Sequence, residues 1–274
     1  MQTSSTAVNT YPRFKFPSDF SEEHLQSFNK NGFLHFTEFI DKEMVQKVIN
    51  AAKETEEAWL KKDVKQVYGV PIKYGKDLDG KKIVQRFAFL SLHNDVIKKF
   101  LEDERFQKLF ALLGGKGRIG EFENDGVVFN HYVYANESQF TQMGWHTDSM
   151  RDVFYGKKIN RMLNVGLHLD NFTEGGCMLC VLPGTHKQGL GGILFRKKYF
   201  VDNRPDKNEM QVKTNAGDLT IHDGAIWHRV AQSTIIGEAS RRRVMYIPFL
   251  TGKFKPKSEK SRPRVYQRFM SMVK

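Results

Sequence analysis

Apolar positions follow a helical period at the start of the chain and alternate later. In SEEHLQSFNKNG, Leu25 and Phe28 share one helical face behind Ser21, Glu22 and Glu23, and Asn31-Gly32 is a stop signal. Ser21 is followed three residues on by His24, where a capping box would ordinarily carry Glu. Phe33 to Phe39 alternates, predicting a strand. Asp41 caps a second helix, from about Lys42 to Lys62, with Met44, Val45, Val48, Ala51, Ala52 and Trp59 at helical spacing. Residues 63–85 are rich in Gly, Lys and Asp and predict a long loop or irregular hairpin, which in a compact domain is more often functional than idle. Asn94 to Leu113 reads as a third helix ending at Gly114-Gly115.

From about Val127 the pattern becomes short strands separated by turn signals: VVFNHYVY, WHTD, RMLNVGLHLD, GCMLCVLPG, one strand at DLTIHDGAIWHRV, and RRVMYIPFL. The expected fold class is mainly β with flanking helices, around a double-stranded β-helix (jelly-roll, cupin-like) core. The insert from Lys187 to Gln211 is too long for a hairpin and is a candidate lid. At 274 residues one domain is expected: a polar tail (1–20), a mainly helical part (21–125), a β-helix core (126–250) and a basic segment (251–274).

Composition narrows the class without changing this outline. A hydrophobic fraction of 40% with 27% charged residues is that of a soluble globular protein. No apolar run approaches the ~20 residues of a membrane span, and the first residues lack the basic and apolar regions of a signal peptide. A cytoplasmic location is the expectation. Residues 241–274 hold eleven Lys/Arg against Glu259 alone, a net +10 of the chain's +12. Such a segment can steer an acidic substrate, a nucleic acid or an anionic surface, or simply solvate the chain. The two cysteines, Cys177 and Cys180, lie in an apolar run with neither a helix start nor a second ligand pair, so buried strand thiols are expected in place of a redox or zinc pair. Gly115-Lys116-Gly117-Arg118-Ile119-Gly120 matches G-x-G-x-x-G but leaves a helix, whereas a dinucleotide fingerprint must leave a strand and enter a helix.

The chemistry concentrates in Trp145-His146-Thr147-Asp148 and Ile226-Trp227-His228-Arg229. An imidazole and a carboxylate two positions apart on extended backbone point to the same side. A second imidazole from a distant strand can complete a 2-His-1-carboxylate face, the set that leaves positions open on non-haem Fe(II). His146, Asp148 and His228 are the candidate metal ligands. A rival H-x-D is His168-Leu169-Asp170.

WHTD, LDNFTEGGCMLCVLPGTHK and GDLTIHDGAIWH, in that order after an opening FSEEHLQSFNKNGFLHFTEFID, resemble the phytanoyl-CoA dioxygenase family of Fe(II)/2-oxoglutarate oxygenases over most of the chain, through Phe249. The resemblance implies iron at His146, Asp148 and His228, and 2-oxoglutarate chelating the metal, with O2 as cosubstrate. It places a 2-oxoglutarate-binding arginine at Arg242, because a guanidinium grips a carboxylate bidentately. Strand alternation turns Arg241 and Arg243 to the other face. Family members often carry a small hydroxyl residue two positions after the distal histidine. Here that position is Val230, so Asn130, Tyr132, Gln142 or Thr147 are candidates to hold the cosubstrate instead. A basic group from Lys81, Lys82 or Arg86 is a further candidate. Within the family's order Asp170 is structural, which favours the first H-x-D.

With Asp148 present, hydroxylation of an unactivated C–H of a small, acidic or CoA-linked substrate, releasing succinate and CO2, is the implied reaction. Desaturation, epoxidation or ring closure are alternatives on the same cofactors. A nucleic-acid or protein oxygenase using the basic tail ranks below them, because the tail lacks spaced aromatics for base stacking. A binding module without catalysis ranks last. His186 is expected to fix its turn, His222 and Asp223 to shape the approach to His228, and Trp145 and Trp227 to wall a pocket or to pack.

Overall fold

The computed structural model describes residues 11–135, 138, 140–150, 152 and 159–263. Chain order is β1 (Phe14–Lys15), α1 (Glu22–Asn31), β2 (Phe33–Thr37), α2 (Lys42–Lys61), β3 (Gln66–Val67), β4 (Val70–Pro71), β5 (Lys73–Lys76), β6 (Lys82–Phe87), α3 (Asp95–Phe100), α4 (Arg105–Lys108) and β7 (Arg118–Ile119). The β-rich part follows: β8 (Val128–Tyr134), β9 (Met143–His146), β10 (Met162–His168), β11 (Met178–Val181), α5 (Leu190–Phe195), β12 (Met210–Val212), β13 (Leu219–Asp223), β14 (His228–Ala231) and β15 (Gly237–Leu250).

A nine-stranded sheet runs β1-β2-β13-β10-β15-β8-β6-β5, with β7 also on β15, and a four-stranded sheet runs β12-β11-β14-β9. Alternation makes the two faces of the large sheet chemically different. Its outer face presents Leu163, Val165, Leu219, Ile221, Met245 and Ile247, all buried in the main core with Val48, Ala52 and Trp59 of α2. Its inner face presents Asn130, Tyr132, Asn164, His222, Arg242 and Tyr246 toward the small sheet. The sheets meet at Tyr132, Val244, Cys177, Val230 and Phe140 at one end and at Phe33, Leu179, Val181 and Val212 at the other. A polar inner face between two apolar layers is what positions the site.

Local signals account for the N-terminal elements. Asp41 accepts a hydrogen bond from the Met44 amide at 2.8 Å, capping α2. At α1 the His24 ring takes the place of the expected Glu: its Nδ1 accepts from the Ser21 amide at 3.2 Å. Gly32 ends α1 at φ 71, and a Cβ there would strike the His186 ring. The same ring reaches the Asn29 carbonyl, 3.1 Å away, so His186 ties its turn to α1.

Two expectations are corrected and one is narrowed. The predicted helix Asn94 to Leu113 is broken after Phe100, and a 3-10 turn at Leu109–Leu113 follows α4. Phe100 and Phe106 would lie about 120° apart around one straight helix and about 9 Å apart along it, yet their rings meet at 5.4 Å, which the break allows. Asp103 restarts the chain by accepting from the Arg105 amide at 3.0 Å. Of the two readings of residues 63–85, a long loop or an irregular hairpin, the structure has the second, twice over: hairpins β3–β4 and β5–β6, the latter with a register shift at Lys73/Tyr74 and forming the edge of the large sheet. The single strand predicted at DLTIHDGAIWHRV is two strands in different sheets, β13 and β14. Asp223 Oδ1 accepts from the Ala225 amide at 2.9 Å, and Gly224 packs against Met162 where a Cβ would clash, so the chain turns there. The G-x-G-x-x-G segment leaves the 3-10 turn through Gly114 at φ 76 and enters β7, with no helix after it. Among the described residues no helix is long and apolar enough to cross a membrane. Arg264, Arg268 and Lys274 of the basic segment lie outside the described residues.

Candidate active site

β9 and β14 pair so that His146 and His228 stand opposite one another, with a register shift between His228 and Val230. Their ring centroids are 4.1 Å apart. The ring Nδ1 of His146 donates to the Gly144 carbonyl at 2.8 Å, and that of His228 to Ile226 at 3.1 Å. Each bond fixes the tautomer and makes Nε2 the ring nitrogen available as a ligand atom in the His–Asp–His group. Burial, helped by His146 and His222, holds the His228 imidazole well below the usual histidine range, so it is neutral, as a ligand must be.

Asp148 follows β9 by two residues, and ligand atoms of His146, Asp148 and His228 all lie within 4.8 Å of one another. Asp148 Oδ2 accepts from Asn164 Nδ2 at 2.9 Å and lies 3.4 Å from His222 Nε2. Sequence reading missed Asn164; the signal was available, because alternation in β10 sets it on the inner face with Gly166. His222 approaches Asp148 as well as His228, whose ring is 4.5 Å away.

The rival pair does not converge. His168 Nε2 meets Thr220 Oγ1 at 2.9 Å, and Asp170 takes the Arg243 guanidinium. Cys177 and Cys180 are buried free thiols, pushed up to about 11 and about 12 by burial. Trp145 and Trp227 are fully buried against Cys180 and Leu182. Their indoles donate to Arg204 and Gly192 carbonyls at 2.9 and 3.1 Å, so both tryptophans anchor the 187–211 insert.

That insert covers His146. The Phe200 ring stacks on His146 at 4.8 Å, from a residue whose φ of 60 is in the left-handed region that bulky side chains avoid. Gly144 lets this backbone approach, since a Cβ there would lie 2.5 Å from the Phe200 carbonyl. Thr147 shares a 2.7 Å hydrogen bond with Tyr199, whose hydroxyl donates to the Ile193 carbonyl, so the Thr147 hydroxyl is engaged by the insert.

On β15 the irregularity precedes Arg242, after which pairing with β8 is regular: Arg242 opposite Tyr132, Val244 opposite Asn130. Arg242 is 7% exposed; its Nη2 donates to the Tyr246 hydroxyl at 3.3 Å and its guanidinium lies over the Tyr132 ring. Arg242 Nη1 and Asn130 Oδ1 are buried with no protein partner. Arg241 and Arg243 point to the outer side, on Asp77 with Glu238 and on Asp170. Val230 packs with Tyr132 and Val244 and offers no polar contact, and the Tyr246 hydroxyl stands by Arg242 instead. Asn130, Tyr132, Gln142 and Thr147 all line the cavity that holds His146, Asp148 and His228. Of the three basic candidates, Arg86 and Lys82 line it, Arg86 paired with Asp125 at 2.7 Å and Lys82 over the Tyr74 ring, and Lys81 is exposed.

The phytanoyl-CoA dioxygenase (PhyH) family model matches residues 28–235. The chain belongs to this family. Its members are Fe(II)/2-oxoglutarate-dependent oxygenases, so the protein is an oxidoreductase of that class. Relatives of known structure share the fold at low identity. The non-haem α-ketoglutarate-dependent carbocyclase SnoK from nogalamycin biosynthesis is 15% identical, with TM-score 0.62 over 96% of this chain and 94% of that one. The epimerase SnoN, seen with Fe3+, α-ketoglutarate and nogalamycin RO, is 14% identical (TM-score 0.60, 86% of each chain). EctD from S. alaskensis, with 2-oxoglutarate and 5-hydroxyectoine, is 15% identical (TM-score 0.61, 91% and 85%). No curated relative matches by sequence.

The residues present fit the family's cofactors. Two imidazoles and one carboxylate form a borderline-hard donor set suited to ferrous iron, and a buried guanidinium with an unpartnered Nη1 suits a carboxylate.

Proposed function

We propose that His146, Asp148 and His228 ligate Fe(II), that Arg242 holds the distal carboxylate of 2-oxoglutarate, and that the protein hydroxylates a C–H bond of a small organic substrate. The observation that carries this reading is Arg242 Nη1, a buried charged donor with no protein partner, whose neighbours Tyr246 and Tyr132 line the cavity that holds the His–Asp–His group. A buried guanidinium left half-satisfied is costly unless an anion completes it.

With iron and 2-oxoglutarate bound, O2 would be the oxidant, one oxygen atom going to the substrate as its hydroxyl and the other to succinate as 2-oxoglutarate loses CO2. The chain's own part is geometric. His146 and His228 present Nε2 from paired strands, and Asn164 orients the Asp148 carboxylate. Tyr246 steadies Arg242, and Asn130 offers a further polar atom on the cosubstrate side. Phe200 and the apolar residues Val128, Met143 and Val230 keep water from the reacting centre. No side chain is required as a proton-transfer catalyst. Desaturation, epoxidation or ring closure would need only a different placement of the target carbon.

An oxygen-uptake and succinate-release screen with Fe(II), 2-oxoglutarate and a panel of amino acids, acyl-CoAs and small natural products tests this reading. Succinate release that depends on both Fe(II) and 2-oxoglutarate supports it. No release with any substrate or without one, together with no anaerobic iron binding, would reduce the protein to a binding module.

A further inference from the structure

The cavity of about 1060 Å³ that contains the His–Asp–His group is far larger than 2-oxoglutarate fills, and its far wall is built by the β5–β6 hairpin. Across that hairpin Lys73 is paired with Arg86, and Arg86 with Asn130 of β8. Strands β5, β6, β8 and β15 are consecutive neighbours and Asn130 stands opposite Val244, so Arg242, two residues along β15 from the end of that row, starts about 16 Å from Lys73. Between them stands an aromatic partition. Lys73 Nζ lies 5.1 Å from the Phe140 ring centre, Phe140 stacks on Tyr132 at 4.6 Å, and Arg242 lies over Tyr132 at 5.4 Å. The two cations are thus separated by the stacked pair of rings, Lys73 against Phe140 and Arg242 against Tyr132.

Lys73 is half-buried, and among the described residues no carboxylate pairs with it. The Arg86 guanidinium, on the strand residue paired with Lys73, is already taken by Asp125. Burial, aided by Arg86, pushes the Lys73 ammonium down to about 8. A partly desolvated cation beside another cation is a preformed place for an incoming anion. Val70, Ile72, Phe140, Val128 and Phe200 give the same cavity an apolar stretch beside its polar lining.

We propose that Lys73 is the substrate's anion anchor, taking the carboxylate of an organic acid whose apolar body lies along Ile72 and Phe140 toward the His146–Asp148–His228 group. This deepens, and rests on, the cofactor assignment above. A lysine offers a point charge without the fork geometry of Arg242, so it suits a head group whose orientation is set by the rest of the molecule.

Calorimetric titration of the anaerobic Fe(II)/2-oxoglutarate-loaded protein tests it, with two matched pairs as probes: octanoate against octanamide, and 4-phenylbutanoate against 4-phenylbutanamide. Wild type is expected to bind at least one acid about tenfold more tightly than its amide. Lys73→Met is expected to abolish that preference and Lys73→Arg to keep most of it. The visible absorption of the Fe(II)–2-oxoglutarate chelate should be the same in all three proteins, which also reports that the variants are folded. Equal binding of acids and amides by wild type, no binding of either, or a preference that survives Lys73→Met would overturn the proposal while leaving the chelate intact. Absence of the chelate band in wild type would instead sink the cofactor assignment, and this proposal with it.

Discussion

His146 and His228 are direct cross-strand partners, one at the end of β9 and the other at the start of β14, with rings 4.1 Å apart between centroids. Two residues 82 positions apart in sequence are therefore held by a backbone ladder and not by flexible loops. Replacing either by Ala should abolish tight Fe(II) binding in an anaerobic titration. His168→Ala should leave binding intact, because that ring is spent on Thr220. Loss of iron in His168→Ala with retention in His146→Ala would transfer the site to the other H-x-D.

Asn164 is the polar side chain that donates to Asp148 Oδ2 at 2.9 Å. Asn164→Ala should weaken iron affinity by about 10- to 100-fold, the usual cost of losing a ligand's orienting partner. Far-UV circular dichroism should be unchanged, since the substitution falls on the cavity side of β10.

Arg242→Lys preserves charge but loses the planar fork. The KM for 2-oxoglutarate should rise about 10- to 100-fold, with iron binding measured in its absence unaffected. An unchanged KM would remove Arg242 from the cosubstrate site.

Thr147→Val separates two roles for one hydroxyl. Because Thr147 bonds Tyr199 of the insert, the variant should leave the KM for 2-oxoglutarate within about twofold and raise proteolytic nicking in residues 187–211, consistent with a loss of about 1 kcal/mol. A large KM effect would place the hydroxyl on the cosubstrate instead.

Buried imidazoles make the fold acid-sensitive. Burial and the Arg241 and Arg243 cations push His131 down to about 3, and burial with Arg242 holds His168 well below its usual range. In the unfolded chain both titrate near 6.5, so below that pH the unfolded state binds more protons and stability falls as pH drops toward the folded-state values. Each contributes a slope of about 1.4 kcal/mol per pH unit. Urea midpoints of the metal-free protein should decline between pH 6.5 and pH 5, and His131→Gln should flatten part of that decline.

What the sequence determined by itself is whatever local period encodes. Helical spacing marked α1 and α2, alternation marked the strands, and the two-residue spacing of His146 and Asp148 put both groups on one side of the chain. The same alternation set Arg242 apart from Arg241 and Arg243. Tertiary structure decided everything that depends on which strand lies beside which. It broke the third predicted helix so that Phe100 could meet Phe106, and it divided DLTIHDGAIWHRV between two sheets. It brought Asn164 and His222 onto Asp148, laid Phe200 over His146, and made the irregular 63–85 stretch into the cavity wall that carries Lys73. A side chain's period is a property of its own backbone, whereas its neighbours across a sheet or a cavity are set by pairing among strands far apart in the chain, and no local pattern records them.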